Sequence, residues 1–239
     1  MINANANLPD DVFSRLPGPA AVMGHAVAVD VDRWNRALKE RGLPPAKGKF
    51  AGHGRVVLTR EDVLKLGGLI PNAGNSLQLL YHSLAWGLGT RAPRLQKRLD
   101  GLASDVERAQ NLLLDAWQLV RSDASPRESY RALTTERGAG RIPWLGPAFA
   151  TKFLYFAQGL SREPRHLILD EVVATNLRDV WPQAPTTAWW PETYETYCRL
   201  VERWVEQAGL RVGQSRSIRA DEIELALFRR HLKQNHPIS

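Results

Sequence analysis

Five residues, Ile142-Pro143-Trp144-Leu145-Gly146, constrain the fold of this chain more than any other stretch. Pro143 fixes its own φ and has no N–H to donate. Gly146 can take a positive φ where the chain reverses. Pro147 then suits the first position of a helix, and 147–158 is compact and apolar. The spacing predicts a tight turn between two helices. Such a turn aims free backbone N–H groups outward at a helix N-terminus, an arrangement that suits a phosphate. Arg137 and Arg141 precede it and add charge of the matching sign. An ordinary helix connection with solvated arginines has the same pattern.

Helical periodicity extends to most of the chain. Residues 31–41, 76–88 and 102–121 carry apolar side chains at three- and four-residue spacing, as do 192–208 and 220–234. Thr59 to Asp62 and Ser125 to Glu128 have capping-box form, the second with Pro126 at the first helical position. That second helix is expected to run to about Arg137 and to be the first of the hairpin pair. Only Val56 to Leu58 and Leu167 to Leu169 read as extended. The expected fold is all-α with at most a few short strands. It forms one domain over 1–239, with two helical lobes around a cleft and the hairpin segment at about 125–181.

The charge points to a polyanionic partner. Net charge is +7 and the isoelectric point about 9.8. Residues 44–55 and 91–100, with Arg211, Arg216 and Arg219, are locally basic. Cys198 is the single cysteine, which rules out a disulfide framework and a four-cysteine iron–sulfur cluster. No apolar run reaches membrane-spanning length, so a cytoplasmic monomer without metal or cofactor is expected.

Two residues after the turn could carry chemistry. Lys152 sits inside the apolar helix, and Asp170 follows the run Leu167-Ile168-Leu169 and heads a new helix, 171–180. Asp170 reads as a plain N-cap as readily as a functional carboxylate. Lys152 reads either as a buried nucleophile or as a lysine whose stem covers core.

The stretch from Ile142 to Asp170 resembles the helix-hairpin-helix DNA glycosylases, whose hairpin reads Leu-Pro-Gly-(Val/Ile)-Gly with an essential aspartate about twenty residues on. Four of five hairpin positions match by type, over about thirty residues in all. It is most similar to the bacterial 8-oxoguanine-glycosylase-like group, some of whose members are anti-phage enzymes acting on hypermodified cytosines. The resemblance implies double-stranded DNA with a modified base as partner, base flipping, and Asp170 as the catalytic carboxylate.

Two positions depart from the family pattern. Trp144 stands where the first hairpin glycine is usual. Ala148 stands where bifunctional members place a Schiff-base lysine, and Lys152 lies one helical turn further along the same face. Lyase activity stays open. Gly146, Arg137 and Arg141 are the expected DNA contacts, and Asn72 or Asn75 could fill the hole left by a flipped base. The aromatic segment with Trp181, Trp189 and Trp190, together with Trp144, is expected to line the base pocket. Ala148 with Asp170 fits a monofunctional enzyme, which leans the substrate towards a glucosylated hydroxymethylcytosine of phage DNA. The alternatives are an 8-oxoguanine glycosylase/lyase and a non-catalytic helix-hairpin-helix DNA anchor.

Overall fold

In the computed structural model, two helices that are buried on nearly every side form the centre of the fold. The structure describes all residues except 1, 162, 183, 184, 186, 214, 215 and 231–239. Twelve α-helices are present among the described residues: α1 Asp10–Phe13, α2 Pro19–Met23, α3 Val31–Lys39, α4 Arg60–Gly67, α5 Ala73–Leu88, α6 Leu95–Ala103, α7 Val106–Arg121, α8 Pro126–Leu133, α9 Pro147–Ala157, α10 Glu171–Asn176, α11 Pro191–Val212 and α12 Ala220–Phe228. Two strands, β1 Ala26–Asp30 and β2 Arg55–Thr59, pair antiparallel with Ala26 opposite Thr59 and Asp30 opposite Arg55. The mostly helical expectation therefore holds. The last expected helix ends at Phe228, with Arg229 and Arg230 in a turn, and residues 231–234 lie outside the described residues.

The central pair is α5 and α9. Every residue from Ser76 to Trp86 is buried, and so is every residue from Ala150 to Ala157. An all-round buried helix must satisfy its polar side chains locally. On α5, His82 Nδ1 lies 2.7 Å from the Gln78 carbonyl, and Ser83 Oγ donates to the Leu79 carbonyl at 2.7 Å. Gln78 spans to the loop between α3 and β2, accepting from Lys47 N–H and donating to the Pro45 carbonyl. The loop, 44–55, is the basic stretch noted in the sequence, and most of its residues are exposed. Phe50 anchors it, fully buried in a short 3-10 turn (Gly48–Ala51) and edge-on to Trp34 at 5.7 Å.

Side-chain caps decide where helices start and stop. The single helix expected over 102–121 is two, because Asp105 leaves helical geometry and its carboxylate accepts from Arg108 N–H at 3.0 Å. The Thr59 and Ser125 capping boxes form as expected. The helix from Ser125 ends at Leu133 rather than near Arg137. Thr134 is extended and bridges Gly140, and Gly138 turns at φ +75°. A side chain at Gly138 would meet the Trp189 carbonyl at 2.0 Å.

The run Leu167 to Leu169 joins no sheet. Three hydroxyls supply the partners that a neighbouring strand would give. Tyr194 donates to the Leu167 carbonyl and Tyr197 to the Ile168 carbonyl, each at 3.0 Å from α11, and Thr151 of α9 donates to the Leu169 carbonyl at 2.9 Å. The Leu169 N–H returns a bond to Thr151 Oγ1 at 3.2 Å. The segment that delivers Asp170 is thus pinned between α9 and α11.

Candidate active site

Asp170 is the N-cap of α10. One carboxylate oxygen accepts from the N–H groups of Val172 and Val173, both at 3.1 Å. The other receives Lys152 Nζ at 2.8 Å. Both side chains are largely buried, 8% and 16% exposed for Lys152 and Asp170. Burial works to raise the Asp170 pKa. The Lys152 charge and hydrogen bond, with the two backbone donors, outweigh it and hold the carboxyl below its ordinary range. The N-cap bonds and the ion pair with Lys152 are therefore combined in one residue.

Lys152 and Asp170 open into a cleft of about 260 Å³. Glycine at position 87 of α5 makes the lysine's path possible, since a Cβ there would meet Lys152 Cδ at 2.9 Å and Cε at 3.1 Å. Trp86, Ile168, His25, Phe228, Arg60 and Glu224 also line it. Arg60 and Glu224 form a buried ion pair at 2.7 Å, 1% and 2% exposed. The Arg60 guanidinium sits 5.1 Å from the Trp86 ring and 5.0 Å from that of Tyr155. Tyr155 in turn donates to Asp221 at 2.9 Å, and Asp221 is clasped by Arg219. Burial pushes the Glu224 carboxyl up, Arg60 pulls it back, and Asp170 and Asp221 push it up again.

The hairpin stands at one end of this helix. At 1.5 Å per residue, Gly146 lies about 9 Å from Lys152 along α9. The left-handed residue of the turn is Trp144, at φ +63°, while Gly146 has φ −75° as the N-cap. The expectation of a positive φ at Gly146 is therefore corrected: the reversal falls at the family's first-glycine position, although a tryptophan occupies it. Arg141 Nε donates to the carbonyls of Arg131 and Thr134, so this side chain braces the turn. Arg137 is exposed. Helix α6 packs on the hairpin so closely that a Cβ at Gly101 would meet the Pro143 carbonyl at 2.1 Å. It brings Lys97 to 4.9 Å from the Trp144 ring and Arg98 to 4.6 Å from that of Phe149. Sequence reasoning saw the basic stretch but not its place beside the turn.

Several expected site residues are elsewhere. Asn72 caps α5 and accepts from Asn75 N–H at 2.9 Å, and both asparagines donate to the Ile70 carbonyl. They stand at the end of α5 remote from Gly87, twelve to fifteen residues or about 18 to 22 Å along the helix. Neither is placed to fill a gap beside Asp170. The four tryptophans do not line the cleft. Trp181 and Trp189 are core, the latter donating to the Pro185 carbonyl at 2.7 Å, and Trp190 and Trp144 are exposed. Burial in the apolar core, not base stacking, accounts for this pair. The aromatic lining comes from Trp86 and Phe228 instead, both of which the sequence presents as ordinary core positions.

A family model described as "Putative 8-oxoguanine DNA glycosylase OGG-like protein" matches residues 20–228. The chain belongs to this family. The matched span holds the hairpin, Lys152, Asp170 and every cleft residue from His25 to Phe228. No curated protein and no solved structure matches the chain. Among the described residues no cluster of His, Cys, Asp and Glu could hold a metal ion, and no helix is long and apolar enough to cross a membrane.

Proposed function

We propose that this protein is a DNA N-glycosylase that draws a modified base into the Asp170–Lys152 cleft and excises it, with Lys152 as nucleophile. The observation that carries this reading is the 2.8 Å contact between Lys152 Nζ and Asp170 Oδ2 at a cleft next to a hairpin. Breaking the N-glycosidic bond develops positive charge on the sugar. A carboxylate held ionised beside it offsets that charge. Lys152 attacks C1′ as the free amine, forming a C–N bond while the bond to the base breaks and its electron pair leaves with the base. Asp170 relays the proton that Lys152 sheds to the departing base, and is ionised again as positive charge builds on the sugar. The product of this step is an aminal; when its C1′–O4′ bond breaks, with the electron pair and a proton passing to O4′, the Schiff base that supports strand cleavage forms, so the protein is a glycosylase/lyase in this reading. The hairpin N–H groups, Arg137 and the basic face of α6 would hold the phosphate backbone.

The substrate assigned first is an oxidised purine, 8-oxoguanine. Two supports for a bulky cytosine, the missing lysine and a tryptophan-walled pocket, have both moved: Lys152 reaches Asp170, and the tryptophans stand elsewhere. A glucosylated hydroxymethylcytosine of phage DNA, and with it an anti-phage role, is the second reading. It draws on the charged Arg60–Glu224 wall, which could meet sugar hydroxyls.

The test is incubation with an 8-oxoguanine duplex, phage DNA carrying glucosylated hydroxymethylcytosine, and unmodified DNA, each with and without borohydride. Abasic sites and a covalent adduct on the 8-oxoguanine duplex support the first reading. Abasic sites in the phage DNA alone transfer it to the second. A gel shift with no base release from any DNA leaves a non-catalytic anchor.

A further inference from the structure

One group in the cleft wall has no part in this chemistry. His25 precedes β1, and its ring lies edge-on to Trp86 at 5.0 Å and 5.8 Å from Phe228. Its carbonyl receives Arg60 N–H at 2.8 Å and Trp86 Nε1–H at 3.2 Å, which fixes the residue against the two walls it joins. Nδ1 is buried and has no partner among the described residues.

Burial foremost, with the charges of Arg60 and Arg229, pushes the His25 pKa down to about 4, so the ring is neutral at neutral pH. A neutral imidazole carries one N–H. A hydrogen on the buried Nδ1 would be an orphaned donor, a rarer and more costly state than an unused lone pair. The hydrogen therefore belongs on Nε2, the nitrogen that is not enclosed.

We infer that His25 is a specificity residue: its Nε2–H donates to a carbonyl oxygen of the base drawn in beside Trp86. The inference rests on the glycosylase reading and deepens it. A base with no acceptor at that edge would leave the donor unpaired and be disfavoured. A histidine held neutral suits this task, because it neither repels the nearby Lys152 and Arg60 charges nor competes for Asp170.

The test uses the full chain and two variants. His25→Phe keeps a ring against Trp86 and Phe228 but removes the donor, whereas His25→Gln retains a donor of similar reach. Single-turnover excision is measured on the 8-oxoguanine duplex and on phage DNA with glucosylated hydroxymethylcytosine. Affinity for DNA holding a tetrahydrofuran abasic analogue is measured in parallel, since that ligand has no base to read. His25→Phe should lose excision roughly 10- to 100-fold, the span of one hydrogen bond, and bind the abasic analogue as the wild type does. His25→Gln should recover most of the loss. Undiminished excision by His25→Phe overturns the inference, and so does an equal loss in both assays or a glutamine variant no better than phenylalanine. Wild-type protein that excises neither base defeats the glycosylase reading itself.

Discussion

Lys152 reaches Asp170 from the second turn of α9, one turn beyond Ala148, with its Nζ 2.8 Å from the carboxylate. Gly87 leaves a channel along α5 through which the stem of Lys152 passes to Asp170.

Replacing either member of the pair separates their roles. Asp170→Asn removes the charge and is expected to lower base release by about 10²- to 10³-fold, the scale for one electrostatic contact to a transition state. DNA affinity should persist in a gel shift. Lys152→Gln should abolish borohydride trapping. Trapping that survives in Lys152→Gln would remove this residue as nucleophile.

Gly87→Ala should dissociate activity from stability. Alanine favours a helix interior by roughly 1 kcal/mol over glycine. Its Cβ would meet Lys152 Cδ at 2.9 Å, and the flexible lysine is the part that yields. Excision should fall by about 10²-fold for an ångström-scale displacement, with an unchanged or higher thermal midpoint. A variant with wild-type rates would show that the lysine does not need this channel.

The Arg60–Glu224 pair predicts a non-additive cycle. Arg60→Met alone leaves Glu224 buried without its partner and should destabilise by about 3–5 kcal/mol. Arg60→Met combined with Glu224→Leu should destabilise by less than the sum of the single changes. Urea unfolding of the three variants measures this, and strict additivity would refute the coupling.

Acid should weaken the fold before it touches Asp170. His25 and His166 are driven by burial to about 4 and about 3, below the ordinary 6.5. Between 6.5 and those values the unfolded chain binds more protons than the folded one, so stability falls as pH falls through this window. Asp170 has the same sign of linkage in a lower window: its lowered pKa adds stability that is fully present above 3.8 and lost only at more acid pH. The urea midpoint should thus drop from pH 7 to pH 5, and less steeply in His166→Gln. A midpoint constant over that range would contradict the buried neutral histidines.

DNA affinity should fall steeply with salt, with a log–log slope near −0.9 per phosphate neutralised. Lys97→Ala on α6 should lessen that slope by about one unit if α6 shares the backbone contact. An unaltered slope would confine the contact to the hairpin.

Local signals made much of the fold legible. The two capping boxes and Pro147 marked helix starts, because those rules act within four residues. Asp170 was identifiable for the same reason, as a cap behind an apolar run. Asp105 split a helix that periodicity alone joined, since capping outweighed an unbroken apolar stripe. The cleft was not legible. His25, Arg60, Trp86 and Glu224 meet only through tertiary packing, and no spacing in the sequence ties residue 60 to residue 224. The tryptophans misled because aromatic density reveals burial, not which cavity the rings face.

The meeting of His25 with Phe228 across the cleft sets an order of events during synthesis. A nascent chain that has emerged as far as α10 already holds the hairpin, the lysine and the aspartate, but not Glu224 or Phe228. Arg60 then has no counter-charge, and the cleft lacks a wall. Arrival of α12 completes the wall around Lys152 and Asp170, so under the glycosylase reading chains released early are expected to carry the whole hairpin motif and yet be inactive.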